Sequence, residues 1–366
     1  MKATTLGLFS LCLSLSLLFV PSGNAATLPL GSVVDVTALE SCPSGYAPGM
    51  SCQQATVQCP GTADLGVTFG LIEPEGEVKG TVFFHAGAGG TMPFNGGLNY
   101  QLTYLSTYRQ KGYRVVLMSW ATDWEDTGLR EKSLQTAACR PATLLNYVYQ
   151  NIHGGASGAG GMCAQGYSGG SGALGYALAL YGASSYLDKV ILESGPVFGD
   201  IEAGCEVPNA PIVTVCPFGQ FGCVGNPWED NPQYVTGTNI VVGNWTGHPI
   251  CQDRRTTPAK VNLDWKAMSI VDGKTDATFS YPQTALSGWV CSNGLNNSAA
   301  QGEFFYQNFT SAKQTAGYSL TRVDNCRGPE GIEAGNTPAG ESAFFAVAQD
   351  MLDSVVGCVK RHNLPK

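Results

Sequence analysis

The chain has 366 residues, with 20 Lys plus Arg against 28 Asp plus Glu and a formal net charge of −8. An acidic chain without a basic cluster is poorly matched to phosphate backbones or anionic membranes, which excludes nucleic-acid binding. A charged fraction of 13% alongside 47 glycines suits a loop-rich folded protein better than a disordered one.

In chain order, Met1-Lys2 gives a small basic start, Leu6 to Val20 is an apolar run, and small residues lead to Ala25. That order predicts a secretory signal peptide over 1–25 and a secreted, extracellular protein. The apolar run is shorter than the roughly 20 residues a bilayer needs, and no transmembrane segment is expected. Without Lys2 the charge becomes 19 − 28 = −9. Of 13 cysteines, Cys12 lies in the signal. The others are Cys42, Cys52, Cys59, Cys139, Cys163, Cys205, Cys216, Cys223, Cys251, Cys291, Cys326 and Cys358. An even set in an exported chain predicts a disulfide framework whose pairing is not readable from spacing. There is no pair of Cys-x-x-Cys motifs and there are only 4 histidines, so no metal site is expected.

Residues 26–63 hold three of those cysteines and are punctuated by Pro, Gly and Ser. They read as a loop-like N-terminal arm stapled to a main domain over 64–366. In that domain Leu65 to Ile72, Gly80 to Phe84 and Tyr113 to Met118 are strand-like. So are Met162 to Gly166 and Lys189 to Glu193. Leu98 to Lys111, Glu131 to Ile152 and Gly169 to Tyr181 have helical spacing. The rhythm breaks over an insertion at about 197–281, rich in Cys, Pro, Gly and Asn. It resumes with strands at Thr284 to Val290 and Tyr318 to Val323, and helices at Ser298 to Ala312 and Glu341 to Arg361. This alternation predicts an α/β fold with a mostly parallel sheet and helices on both faces. Asn244, Asn296 and Asn308 head sequons and are candidate glycosylation sites.

Gly166-Tyr167-Ser168-Gly169-Gly170 has the form G-x-S-x-G between a predicted strand and a predicted small-residue helix. The turn is tight, so flanking side chains would collide with strand and helix. A helix beginning at Gly169 aims its amides and dipole at charge developing near Ser168. Upstream, His85-Ala86-Gly87-Ala88-Gly89-Gly90 directly follows the strand ending at Phe84. A run of Gly and Ala leaves backbone N–H groups unobstructed for an oxyanion, and Gly87 or Ala88 with Gly169 are the candidate donors.

These two motifs, in the right order on matching strands, resemble the α/β-hydrolase superfamily, from about Leu65 to Cys358, with the insertion where lids commonly sit. The resemblance implies serine-dependent hydrolysis of an ester or related acyl bond, no cofactor, and a secreted serine esterase or lipase. A monomer acting on a small ester substrate is the expected form.

The triad is atypical or incomplete. The family's acid and histidine follow the last two strands. Here those places read Cys291-Ser292-Asn293-Gly294-Leu295 and Asp324-Asn325-Cys326-Arg327-Gly328-Pro329-Glu330. In a parallel sheet the active site lies at the C-terminal ends of the strands. His153 and His362 end helices and belong at the opposite edge, whereas His85 is placed to support the oxyanion loop. His248, in the insertion, is the candidate base. Glu330 is a candidate base or acid, although a carboxylate near pKa 4.3 is a poor base unless burial raises it. Glu193 ends its strand and is a candidate acid. Asp123, Glu125, Asp126, Asp200 and Asp324 share that edge. Trp120, Trp124, Trp228, Trp245, Trp265 and Trp289 are candidates for an apolar substrate pocket. Two readings stand: an active hydrolase with a rearranged base, and a catalytically impaired scaffold that binds a ligand or partner.

Overall fold

In this computed structural model the described residues are 27–94, 98–125, 134–197, 199–200, 269–271, 278–291, 301–302, 305–306, 309, 315–323 and 346–362. The expected signal peptide at 1–25 and nearly all of the insertion lie outside them.

Nine strands form one sheet: β1 (Ser32–Ala38), β2 (Ser51–Gln58), β3 (Leu65–Ile72), β4 (Gly80–His85), β5 (Tyr113–Trp120), β6 (Gly161–Tyr167), β7 (Lys189–Glu193), β8 (Tyr281–Cys291) and β9 (Thr315–Val323). Their order is β1-β2-β3-β5-β4-β6-β7-β8-β9. The first three pair antiparallel, as do β3 and β5, and from β5 through β9 every pairing is parallel. The central strands β4, β6 and β7 are buried along their whole length, as near-continuous apolar runs covered on both faces should be.

The period of two along each strand divides the core. Phe83, Met162, Ala164, Val190 and Leu192 face α3 (Cys139–Tyr147) and α4 (Gly169–Tyr181), which follow the four-residue α2 (Leu134–Ala137). Phe84, Leu117, Cys163, Ile191 and Trp289 face α1 (Leu98–Gln110) and the helical residues 346–352. Helices therefore cover both faces.

Three expectations are corrected. The stretch 26–63 is not a loop: β1 and β2 extend the main sheet, and its edge strand β1 is largely exposed. The single helix expected over Glu131–Ile152 is interrupted at Ala138 and closes as a π-helix at Val148–His153. Pro141 has no N–H to return to Ala137, which loosens the helix there. The last helix stops at 352 rather than Arg361. Asp353 Oδ1 accepts from the amides of Val355 (2.7 Å) and Val356 (2.8 Å), and the chain turns back toward the sheet.

Disulfides Cys42–Cys52, Cys59–Cys139 and Cys163–Cys358 close separations of 10, 80 and 195 residues. The second ties the end of β2 to α3, and the third ties β6 to the C-terminal segment. Each such bridge stabilises by about 2–4 kcal/mol, chiefly by restricting the unfolded chain.

Candidate active site

Ser168 stands between β6 and α4 with φ 49° and ψ −115°, a conformation costly for any residue with a Cβ. Its amide donates to the carbonyl of Glu193 (2.8 Å), continuing the β6–β7 ladder one residue past the strands. Its carbonyl accepts from the Ser171 hydroxyl (2.5 Å) and the Gly172 amide (3.1 Å). The side chain is half-buried, and its hydroxyl caps nothing in α4. The glycines are there because nothing larger fits. A Cβ on Gly169 would overlap the Ala88 carbonyl, one on Gly170 the His85 carbonyl, and one on Gly166 would lie 2.5 Å from the Gly170 carbonyl.

The same overlaps show that the loop after β4 lies against the first turn of α4. Ala88 also has positive φ, at 49°, and is exposed, whereas Gly87 is buried. The first amides of α4 have no intrahelical acceptor. Neither the Ala88 nor the Gly169 amide is engaged by another described residue.

The His85 ring ties this loop to Trp120 at the end of β5. Indole nitrogen only donates, so Trp120 Nε1 donates to His85 Nε2 (3.2 Å), and His85 Nδ1 donates to the Ala86 carbonyl (2.9 Å). Burial pushes its imidazole down to about 4, against the opposing Ala86 bond, so the ring is neutral and fully paired at neutral pH. Gly89 and Gly90 accept from the amides of Trp124 (3.0 Å) and Trp120 (2.8 Å). Asp123 lies where a Cβ on Gly89 would go. Next to it, burial and then the charge of Asp123 hold the Glu125 carboxyl well above the usual carboxylate range.

The Glu193 side chain turns to the α1 face. Gln165 Nε2 donates to its Oε1 (2.5 Å), and Gln165 Oε1 accepts from the Tyr104 (3.1 Å) and Tyr108 (3.0 Å) hydroxyls. Burial pushes this carboxyl up to about 7, against the Gln165 bond. Three residues of this network escaped sequence reading, because a buried Gln or Tyr leaves no motif.

None of the three described histidines is hydrogen-bonded to Ser168 or Glu193. His153 Nδ1 pairs with Thr81 Oγ1 (3.1 Å), and His362 lies between Asp188 Oδ1 (3.0 Å) and the Ser184 carbonyl (2.9 Å), all at the N-terminal edge of the sheet. His248, Glu330, Asp126, Asp324, Asn244, Asn296 and Asn308 lie outside the described residues. Asp200 exchanges backbone bonds with the Gln301 amide group. Trp120, Trp124 and Trp289 are buried and pack in the two cores. Trp228, Trp245 and Trp265 lie outside the described residues.

No family model and no curated protein matches the sequence. Solved structures do match. An esterase of Pyrobaculum calidifontis in a monoclinic form is similar at TM-score 0.53 and 13% identity, over 86% of this chain and 88% of that one. A second structure, described as a hyperthermophilic esterase from the same archaeon, gives TM-score 0.50 and 12% identity, over 86% of each chain. With the strand order above, this likeness shows that the chain has the α/β-hydrolase fold.

Proposed function

We propose that the protein is a secreted, monomeric serine hydrolase that cleaves a carboxylic ester through Ser168. The observation that carries this reading is the strained, half-exposed Ser168 at the start of α4, beside the unengaged amides of Ala88 and Gly169. In the reaction the Ser168 oxygen bonds to the ester carbonyl carbon, and the carbonyl oxygen takes the charge facing those amides. The Ser168 proton passes to a base and then to the leaving alcohol, and water releases the acyl group. His248 and Glu330 are the candidate bases, and Glu193 or Glu330 the candidate acid. Gly87 is the alternative donor to Ala88.

That both similar structures are esterases agrees with this chemistry. Three disulfides suit an oxidising, extracellular location, where Asn244, Asn296 and Asn308 would be open to glycosylation. Among the described residues no helix is long and apolar enough to cross a membrane. The engagement of every described histidine elsewhere favours a second reading, a hydrolase scaffold that binds a ligand without turnover.

Hydrolysis of a short-chain p-nitrophenyl ester by disulfide-intact protein, at acidic and neutral pH, separates the two. Turnover abolished by Ser168→Ala supports the hydrolase, and His248→Ala and Glu330→Gln then identify the base. No turnover at either pH, in protein shown to be folded, supports the scaffold.

A further inference from the structure

Ser194 is the residue that follows β7, as Ser168 is the residue that follows β6. Tyr167 and Glu193 are register partners, and the Ser168 amide bonds the Glu193 carbonyl. The two serines are therefore lateral neighbours, with Cα atoms about 4.8 Å apart by the spacing of adjacent strands. Their backbones share the same departure, φ 49° at each. The Ser194 amide continues the ladder to the next strand, donating to the Trp289 carbonyl (2.7 Å). The chain then turns onto the elbow helix. A Cβ on Gly195 would overlap the Ser171 hydroxyl, and the Tyr306 hydroxyl closes the turn by donating to the Gly195 carbonyl (2.8 Å).

Ser194 is 1% exposed, and its hydroxyl has no hydrogen-bond partner among the described residues. A buried, unpaired hydroxyl is costly, and so is positive φ at a residue with a Cβ. Alanine would avoid the first cost and glycine both. The Ser168 hydroxyl, one strand over, likewise has no partner among the described residues. At that separation a χ1 rotation brings two hydroxyls within O–H···O distance.

We propose that Ser194 is a positioning residue for the nucleophile, its hydroxyl donating to Ser168 Oγ as that oxygen begins to attack. The inference rests on the reading of Ser168 as the nucleophile. The bond is absent in the resting protein and forms when Ser168 Oγ gains negative character, so it favours the attacking state over the resting one. It moves no proton and alters no charge. Its effect falls on the rate of attack rather than on substrate affinity.

The test compares Ser194→Ala, Ser194→Gly and Ser194→Thr with the native protein. Two quantities are read: melting temperature, and the rate constant and half-saturation concentration for labelling by a fluorophosphonate. Ala and Gly should melt no lower than the native protein yet label about threefold to tenfold more slowly, with half-saturation unchanged. Thr keeps the hydroxyl but adds a branch that positive φ disfavours, so it should melt lower and label close to the native rate. A purely structural Ser194 gives the opposite ordering, with labelling following stability. Native-rate labelling in Ala and Gly overturns the inference and leaves the nucleophile reading intact, whereas no labelling of the native protein overturns both.

Discussion

At the N-terminal ends of β4, β6 and β7 the polar groups are paired with one another. Asp188 accepts from the Met162 amide (2.9 Å), the Arg361 amide (2.5 Å) and both the amide and the ring of His362 (3.0 Å each), while His153 is paired with Thr81. At the C-terminal ends of the same strands stand Ala88, Ser168 and Ser194. All three have φ 49°, with two hydroxyls and two amides left unengaged among the described residues. Strained groups persist only where the surroundings enforce them, and among the described residues three of the four non-glycine residues with positive φ stand at this edge, the fourth being Asp35 on β1. Of the three described histidines, His153 and His362 are held at the N-terminal edge, and His85 is paired with Trp120 and Ala86 at the C-terminal one.

The largest effect expected from disturbing this division is on the paired edge. Asp188→Ala strips the acceptor from three backbone amides and from the His362 ring. It should cost about 3 kcal/mol or more in urea unfolding at neutral pH while leaving labelling per folded molecule unchanged. The wild-type contribution depends on pH. Burial alone would raise the Asp188 carboxyl, but the His362 ring and the three amides outweigh it and hold the carboxyl below its ordinary value. The stabilisation is therefore full above the unfolded value of about 3.9 and lost as pH falls through the lower folded one. The gap between wild type and variant should narrow in acid. An undiminished gap would show that the carboxylate is not the stabilising species.

At the C-terminal edge the order of effects reverses. Gly169→Ala drives a methyl into the Ala88 carbonyl and displaces the loop after β4, which carries the proposed oxyanion donors. Labelling of Ser168 should fall on the order of 100-fold, as for loss of one oxyanion donor. Retained labelling would separate that loop from the chemistry. The smallest effect belongs to Ala88→Gly, which relieves positive φ without removing the amide. A gain of about 0.5–1 kcal/mol at an unchanged labelling rate is expected. A loss of stability would mean that Ala88 is not strained.

The division also explains what the sequence discloses. Strands such as Leu65–Ile72 and Lys189–Glu193, and the helix Gly169–Tyr181, are legible to the residue because burial on one or both faces writes itself into apolar pattern. The strands β1 and β2 were hidden. Their exposed and half-polar faces sit among Pro, Gly and Ser, and what holds them is pairing with the sheet. Ser168 announces itself through its flanking glycines, since backbone crowding forbids other residues there. Ser194 has the same φ but a Glu before it, so no motif marks it. The Gln165–Glu193–Tyr104–Tyr108 network joins three separate elements, and no spacing along the chain encodes it.

The central claim is that Ser168 is an activated nucleophile. The direct measurement is fluorophosphonate labelling of the disulfide-intact protein at acidic and neutral pH, with the modified peptide located by mass spectrometry. The account predicts one adduct, on Ser168, lost in Ser168→Ala and after denaturation. An absence of adduct on folded protein at both pH values, or an adduct that persists in Ser168→Ala, would contradict it.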